Sequence, residues 1–330
     1  MNLQQLRYLR ETARRGLNLT QAAAALHTSQ PGLSKAIREL EDELGVQVFV
    51  RHGKRLTAIT DEGHEVLAIA ERLLTEAENL KSVGRELRGA DTGVLRLAAT
   101  HTQARYVLPP AVLRLREAYP GVRLQLRQGS PAQIVAMLRA GEVDLGVATE
   151  LLGKVDELES ETLFSWHHCV IAPSAHAVHR HERLDLALLA GYPLVTYDAQ
   201  FAGRTSIDAA FTAAGLTPDV VLEAADADVI KAYAALGLGV GIVTEMAMRP
   251  EGEGDLWRVR AAPTELFPLN TTRVAYRRGR LPRRYERAFI GWLKDEGTQL
   301  AAPRQQGGEL SAPSNPPLAG DFPRVRRSAR

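Results

Sequence analysis

Residues 28–45, Thr28-Ser29-Gln30-Pro31-Gly32-Leu33-Ser34-Lys35-Ala36-Ile37-Arg38-Glu39-Leu40-Glu41-Asp42-Glu43-Leu44-Gly45, leave little freedom in how the chain begins. Ser29 is an N-cap residue, and Pro31 falls in a first turn, where a missing N–H costs nothing. Leu33, Ile37, Leu40 and Leu44 recur at i, i+4, i+7 and i+11, one buried stripe on a helix over 29–44. Gly45 stops it as a C′ residue. Upstream, Leu3, Leu6 and Leu9 have helical spacing, and a short helix fits 20–26, with Asn18 or Thr20 as cap. His27-Thr28 leaves room only for a tight turn. Two helices joined this closely, with alanines where they cross, predict a helix-turn-helix.

The outer stripe of the second of these helices carries Gln30, Ser34 and Arg38, with Lys35 beside it. Such groups contact base edges and phosphates. Residues 46–50 read as a strand, Arg51-His52-Gly53-Lys54-Arg55 as a cationic turn and Leu56-Thr57 as the returning strand. A hairpin with a basic tip beside the helices is a wing that reaches phosphates. Lys35 and Arg38 alone fit an ordinary solvated surface. The cap, short turn, apolar stripe and basic hairpin together favour DNA binding.

At roughly 150 residues per domain, 330 residues make two domains with appendages. Apolar content of 45% and charged content of 24% exclude a fully disordered, collagenous or disulfide-scaffold chain. Lys and Arg number 41 against 39 Asp and Glu, so net charge does not decide for or against nucleic acid; local charge does. The single cysteine, Cys169, precludes an intrachain disulfide and fits a reducing cytoplasm. The N-terminus has no secretory pattern, and the apolar stretch 232–243 is too short to span a bilayer. A cytoplasmic protein without membrane contact is expected.

Composition shifts near 90 and 297. The expected parts are a winged helix-turn-helix over 1–59, a linker and dimerisation helix over 60–90, an effector-binding domain over 91–296 and a disordered basic tail over 297–330. Thr60 caps the linker helix, with Asp61 and Glu62 favoured by the helix dipole. Val66, Leu73, Leu80 and Leu87 repeat at sevens, and Ala70, Ala77 and Gly84 follow the first three by four residues. This is a heptad seam for a partner helix, although such a stripe can also pack on the chain's own body. Paired heads suit two half-sites on DNA.

These residues resemble the LysR-type transcriptional regulators. Residues 28–45, followed by Val48-Phe49, carry the motif, and the resemblance extends to about residue 295. Within the family the chain is similar to the CysB/Cbl branch, regulators of sulfur assimilation. That match rests on Leu3-Gln4-Gln5-Leu6-Arg7-Tyr8, Thr100-His101-Thr102-Gln103-Ala104-Arg105-Tyr106, Gln128-Gly129-Ser130-Pro131, Pro193-Leu194-Val195-Thr196-Tyr197 and Asp226-Ala227-Asp228-Val229-Ile230-Lys231. The resemblance implies a two-lobed α/β effector domain of the type II periplasmic-binding-protein kind. It also implies DNA contacts from Thr28, Ser29, Gln30, Pro31, Ser34, Lys35 and Arg38 and from Arg51, Lys54 and Arg55 of the wing. Partners would be promoter DNA, a second copy (a dimer of dimers) and, as a candidate, RNA polymerase. Thr100, Thr102, Gln103 and Thr149 would line a pocket for acetylserine, sulfate or thiosulfate. The branch has threonine where this chain has Ala202, so only the backbone N–H groups of Ala202 and Gly203 are expected to serve there.

The body supports an open α/β sheet on its own residues. Strand patterns at 94–99, 122–127 and 143–148 alternate with helical spacing at 104–119 and 131–140. Ligands in such sheets sit at strand carboxyl ends, here near Thr100 to Gln103, Gln128 to Ser130 and Thr149-Glu150. Thr100 and Thr102 could equally cap a helix, and capping and binding are compatible. Lobe I is expected over 91–162 and 267–296, and lobe II over 163–266, with strands at 168–173 and 194–197 and with Phe201-Ala202-Gly203-Arg204 at a strand-to-helix turn facing the cleft. A strand at 272–276 and a helix at 283–294 return to the first lobe. The glycines at 237, 239 and 241 alternate and do not match a dinucleotide fingerprint.

Competing classes find less support. Adjacent strand residues His167, His168 and Cys169 point to opposite faces and cannot share a metal, and His176, His179 and His181 read as solvated. No nucleophile elbow, P-loop or zincin motif occurs, so neither an enzyme nor a cofactor is expected. A solute-binding receptor would account for the body but not for the head. The tail's Arg324, Arg326, Arg327 and Arg330 offer nonspecific phosphate attraction or a merely solvated charge run.

Overall fold

The computed structural model describes residues 1–53, 55–88, 91–248, 252–259 and 262–301. The head begins with α1 (Leu3–Arg14), closed by a capping box in which Asn2 and Gln5 each accept from the other's backbone N–H. Asn18 caps α2 (Leu19–Ala25). Ser29 caps α3 (Gln30–Leu44) by accepting from Gly32 N–H at 3.2 Å, and Gly45 ends it at φ 67°. Leu33, Ile37 and Leu40 pack with Leu6, Leu9 and Ala22 in one core. Leu44, expected on that stripe, is exposed at the last turn of α3.

The wing consists of β1 (Phe49–His52) and β2 (Arg55–Ile59), paired antiparallel. Its first strand begins later than the expected residue 46. The reason is Glu41, a buried carboxylate of α3. One oxygen accepts from Val48 and Phe49 N–H at 2.9 and 3.1 Å, and the other accepts from Arg51 at 2.8 Å. These bonds hold the strand entry against α3 and leave the buried charge paired.

Thr60 caps α4 (Asp61–Leu87) by accepting from Gly63 N–H at 2.8 Å, and it donates to Gln47 O at 2.6 Å. Ala70 and Leu74 pack on the head core. Leu73, Leu80 and Leu87 of the heptad seam stand 42%, 75% and 83% exposed, so the chain's own body does not cover them. Asn79 ties α4 to the body, donating to Gly279 O at 2.8 Å and accepting from Leu281 N–H at 2.9 Å.

The first lobe supplies β3 (Gly93–Ala99), α5 (His101–Tyr106), α6 (Leu108–Ala118), β4 (Val122–Gln128), α7 (Pro131–Ala140), β5 (Leu145–Ala148) and β6 (Leu158–Trp166). The helical stretch expected as one over 104–119 is two, because Pro109 and Pro110 lack N–H groups and open a new helix. The second lobe supplies β7 (His168–Pro173), α8 (Leu186–Ala190), β8 (Leu194–Tyr197), α9 (Ala202–Ala213), β9 (Val220–Ala224), α10 (Ala227–Ala235), β10 (Val240–Thr244) and β11 (Leu256–Arg258). The chain returns through β12 (Asn270–Arg277) and α11 (Arg284–Ala301).

The first sheet has the order β4-β3-β5-β12-β6, and the second β11-β7-β10-β8-β9. Within the first, β3 runs parallel to β4 and β5, and β12 runs antiparallel to β5 and β6. The lobe crossing falls at His167, not between 162 and 163. β6 pairs with β12 as far as Trp166, and Leu163, Phe164 and Trp166 fill the first lobe's core. Phe267, expected in the first lobe, packs in the second lobe's core. α11 continues past 297, the expected start of the tail, so residues 297–301 are helical. Lys54 and 302–330, including the four tail arginines, lie outside the described residues.

Gly239 approaches the Pro193 carbonyl so closely that a Cβ would stand 2.5 Å from its oxygen. The alternating glycines thus serve a tight approach of the chain to itself. Among the described residues no helix is long and apolar enough to cross a membrane.

Gly63 is the tightest point of the head–linker junction: a Cβ there would lie 2.2 Å from Val48 O. Gly63→Ala is expected to destabilise the protein by about 1–3 kcal/mol through backbone overpacking. Gly291→Ala, in open space on α11, is expected to stabilise by roughly 0.5–1 kcal/mol. Thermal unfolding of both variants checks the contrast; equal shifts would contradict it.

Candidate functional site

Two groups of predicted residues occupy separate places. At the head, α3 presents Pro31, Lys35 and Arg38 to solvent, with Ser29 exposed at its cap and Gln30 and Thr28 half-buried. Lys35 is 78% exposed and pairs only loosely with Glu39 at 3.6 Å. Ser34, expected on the outward stripe, is buried, and its hydroxyl accepts from Arg38 Nη2 at 3.2 Å. It therefore orients the Arg38 side chain and does not itself face outward. Arg51, expected as a free wing cation, is ion-paired with buried Glu41, whereas Arg55 is exposed. Tyr8 of α1 approaches the turn, its hydroxyl 3.5 Å from Thr28 Oγ1.

The second group meets where the lobes join. A cavity of about 30 Å³ is lined by Thr100, Thr102, Gln103 and Thr149 of the first lobe and Gly203 of the second. Thr100 stands at the N-cap position of α5 without making a side-chain cap bond, so the capping role expected as one alternative is not used. Gln103 Nε2 donates to Thr272 Oγ1 at 3.0 Å, and Trp166 Nε1 donates to the same oxygen at 3.1 Å. This leaves Gln103 Oε1 and Thr149 Oγ1 buried with no partner among the described residues. Buried polar atoms without partners cost free energy, which a suitable ligand removes.

Ser130 does not line this cavity. It is the N-cap of α7, where it accepts from Gln133 N–H while Gln133 Oε1 accepts from Ser130 N–H; its neighbour Pro131 reaches the cavity instead. Ala202 opens α9 between the lining residues Phe201 and Gly203, and the first N–H groups of that helix have no intrahelical acceptors.

Sequence reasoning missed Trp166, Tyr197 and Thr244, which also line the cavity, and Thr272 behind it, whereas Phe201 lines it from the strand-to-helix turn where it is expected. Tyr197 lay in a quoted segment, but nothing in its alternation signalled that its hydroxyl accepts from Thr244 N–H at 3.0 Å. Burial raises the Tyr197 phenol above its ordinary range, so it remains a neutral hydroxyl. Two other quoted segments also meet across the lobes: Lys231 Nζ donates to Tyr106 O–H at 3.0 Å, and Arg105 pairs with Asp228 at 2.7 Å.

The histidines expected to be solvated are bonded instead. His176 accepts from Val178 N–H at 3.1 Å, His179 contacts Ala172 O at 3.2 Å and His181 contacts Tyr192 O–H at 2.8 Å. Among the described residues no cluster of three His, Cys, Asp or Glu side chains is arranged to hold a metal.

His168 sits beneath the cavity, between Trp166, Tyr197 and Phe267. Burial, reinforced by His167, pushes its pKa down to about 3. The unfolded chain takes up this proton near pH 6.5 and the folded one does not, so stability is full above that pH and is lost on acidification. The loss from this residue approaches about 1.4 kcal/mol per pH unit below 6.5. His168→Phe is expected to flatten the fall of unfolding midpoint between pH 7 and 5; parallel curves for the two proteins would contradict this.

Comparison with known proteins agrees with this arrangement. Residues 3–64 match the bacterial regulatory helix-turn-helix protein family of lysR type, and residues 88–298 match the LysR substrate binding domain. The transcriptional regulator SsuR of Burkholderia cenocepacia is 49% identical over 290 residues, 88% of this chain and 94% of that protein. CysB of the same organism is 50% identical over 294 residues, 89% of this chain and 93% of its own length. The crystal structure of the cofactor-binding domain of the Cbl transcriptional regulator superposes with a TM-score of 0.58 at 40% identity, covering 64% of this chain and 95% of that one. The chain is thus a transcriptional regulator and not an enzyme: it belongs to the LysR family, with a helix-turn-helix head and a two-lobed substrate-binding body.

Proposed function

We propose that this regulator controls genes of sulfur assimilation and cysteine biosynthesis, and that acetylserine or a sulfate-like anion held between its lobes sets its activity. The similarity to CysB and SsuR supports the pathway. The observation that carries the ligand class is the cluster of Thr100, Thr102, Gln103 and Thr149, with partnerless polar atoms at the lobe junction. Threonine hydroxyls and the first N–H groups of α9 donate to an anion. Gln103 Oε1, held by the Thr272 contact of its amide, accepts from a ligand N–H or O–H. A ligand combining an anionic group with a donor, as acetylserine does, uses both.

On DNA, α3 would enter the major groove with Gln30, Lys35 and Arg38 at the bases, and with Thr28, Ser29 and Pro31 at its approach. Ser34 would position Arg38. Lys54 and Arg55 would meet phosphates, and Arg51 would hold the wing in place through Glu41. The exposed Leu73, Leu80 and Leu87 would form the seam with a second copy, giving dimers and dimers of dimers, with RNA polymerase as a further contact. The ligand acts by binding one arrangement of the lobes more tightly than another.

Titration of the full chain with N-acetylserine, O-acetylserine, sulfate and thiosulfate tests the ligand. Saturable binding of at least one is expected, and Thr149→Val should weaken it about tenfold, the loss of one hydrogen bond worth roughly 1–1.5 kcal/mol. A folded protein that binds none of the four would refute the sulfur assignment. For DNA selected from a random pool, Arg38→Ala should weaken binding by roughly 5- to 150-fold, the range for a base contact. Unchanged affinity would remove Arg38 from the interface.

A further inference from the structure

A second, larger cavity of about 360 Å³ lies where head, linker helix and body come together, away from the lobe junction. Its walls carry eight cationic side chains and two carboxylates, Glu78 and Asp144. Arg10 and Arg14 come from α1, Lys81 and Arg85 from α4, and Arg277 and Arg280 from the end of β12 and the turn after it. Glu71 and Glu286 reach in as ion-pair partners of Arg14 and Arg280. Even with those two acids included, cations outnumber carboxylates two to one.

The excess is local. Lys81 and Arg85 have no partner among the described residues, and Arg10 Nε is buried without an acceptor. Arg14 is held in place, donating to Ala140 O at 2.9 Å and Arg139 O at 3.3 Å at the carboxyl end of α7. Arg277 is 3.7 Å from Glu78. Burial, then the guanidinium groups of Arg14 and Arg10, weaken its hold on its proton against the pull of Glu78 and Glu71. Like charges gathered in a partly dry cavity repel one another unless an anion lies among them.

We infer that this cleft binds a small phosphorylated molecule carrying at least two negative charges. Guanidinium groups fit phosphate oxygens in bidentate fashion, and a cavity of this size exceeds what a single oxyanion fills. Its walls come from three parts of the chain, so occupancy favours the posture in which head, linker and body stay together. The site is separate from the effector pocket and does not depend on the sulfur assignment.

Pyrophosphate serves as the probe, titrated calorimetrically into the full chain at physiological salt. Saturable binding is expected. The double substitution Lys81→Gln/Arg85→Gln, which removes side chains without partners, should weaken it at least tenfold while leaving the melting temperature unchanged. Thr102→Ala should leave it intact. Absence of saturable binding, or equal binding by the double variant, would overturn the proposal. Loss on Thr102→Ala would also overturn it, by placing pyrophosphate in the effector pocket. So would displacement by a short DNA duplex of unrelated sequence, by assigning the cleft to the DNA backbone.

Discussion

The Thr272 hydroxyl accepts from Gln103 Nε2 and Trp166 Nε1 at 3.0 and 3.1 Å, and the pocket takes its shape from that pair of bonds. Thr272 lies on β12, the strand that returns from the second lobe and inserts between β5 and β6. The same strand carries Asn270, whose amide lies 3.3 Å from His168 Nδ1, and Arg277, which faces the linker helix. One strand thus touches the pocket floor at one end and the linker junction at the other. A shift of β12 along its neighbours would change both, and would so link a ligand held between the lobes to the head.

The cations of this chain fall into distinct settings. Lys35, Arg38 and Arg55 stand in solvent on the head, where a polyanion would meet them at little desolvation cost. Arg51 is paired to the buried carboxylate Glu41 and holds the wing, and Arg280, paired to buried Glu286, stands in the wall of the larger cleft. Arg105, Lys231 and Asp228 join the two lobes beside Tyr106. The near-neutral total charge conceals this sorting.

The head was legible in the sequence because its determinants are local: Ser29, Pro31 and Gly45 act within one helix, and the Leu33–Ile37–Leu40 stripe has one period. The partners of Ser34 and Arg51, Arg38 one turn away and Glu41 on α3, engage their side chains in ways periodicity does not encode. In the body, the alternation located the strands, and resemblance located Thr100, Thr102, Gln103 and Thr149. Ser130 was misread because a capping box and a ligand site share the same residue types. Thr244 and Thr272 come from segments remote in sequence that only the two sheets bring together, and no local pattern marked them. The end of β6 was also hidden, since Leu163, Phe164 and Trp166 suit either lobe until β12 pairs with them.

If a ligand between the lobes governs reading of DNA, the coupling is reciprocal. The most direct measurement is the affinity of the full chain for N-acetylserine, determined alone and again when saturated with its selected DNA. The account predicts that DNA changes this affinity by the same factor by which N-acetylserine changes the affinity for DNA, in the range of roughly 5- to 150-fold. Equal affinity for N-acetylserine in the two titrations would show that the pocket and the head are uncoupled, and would contradict it.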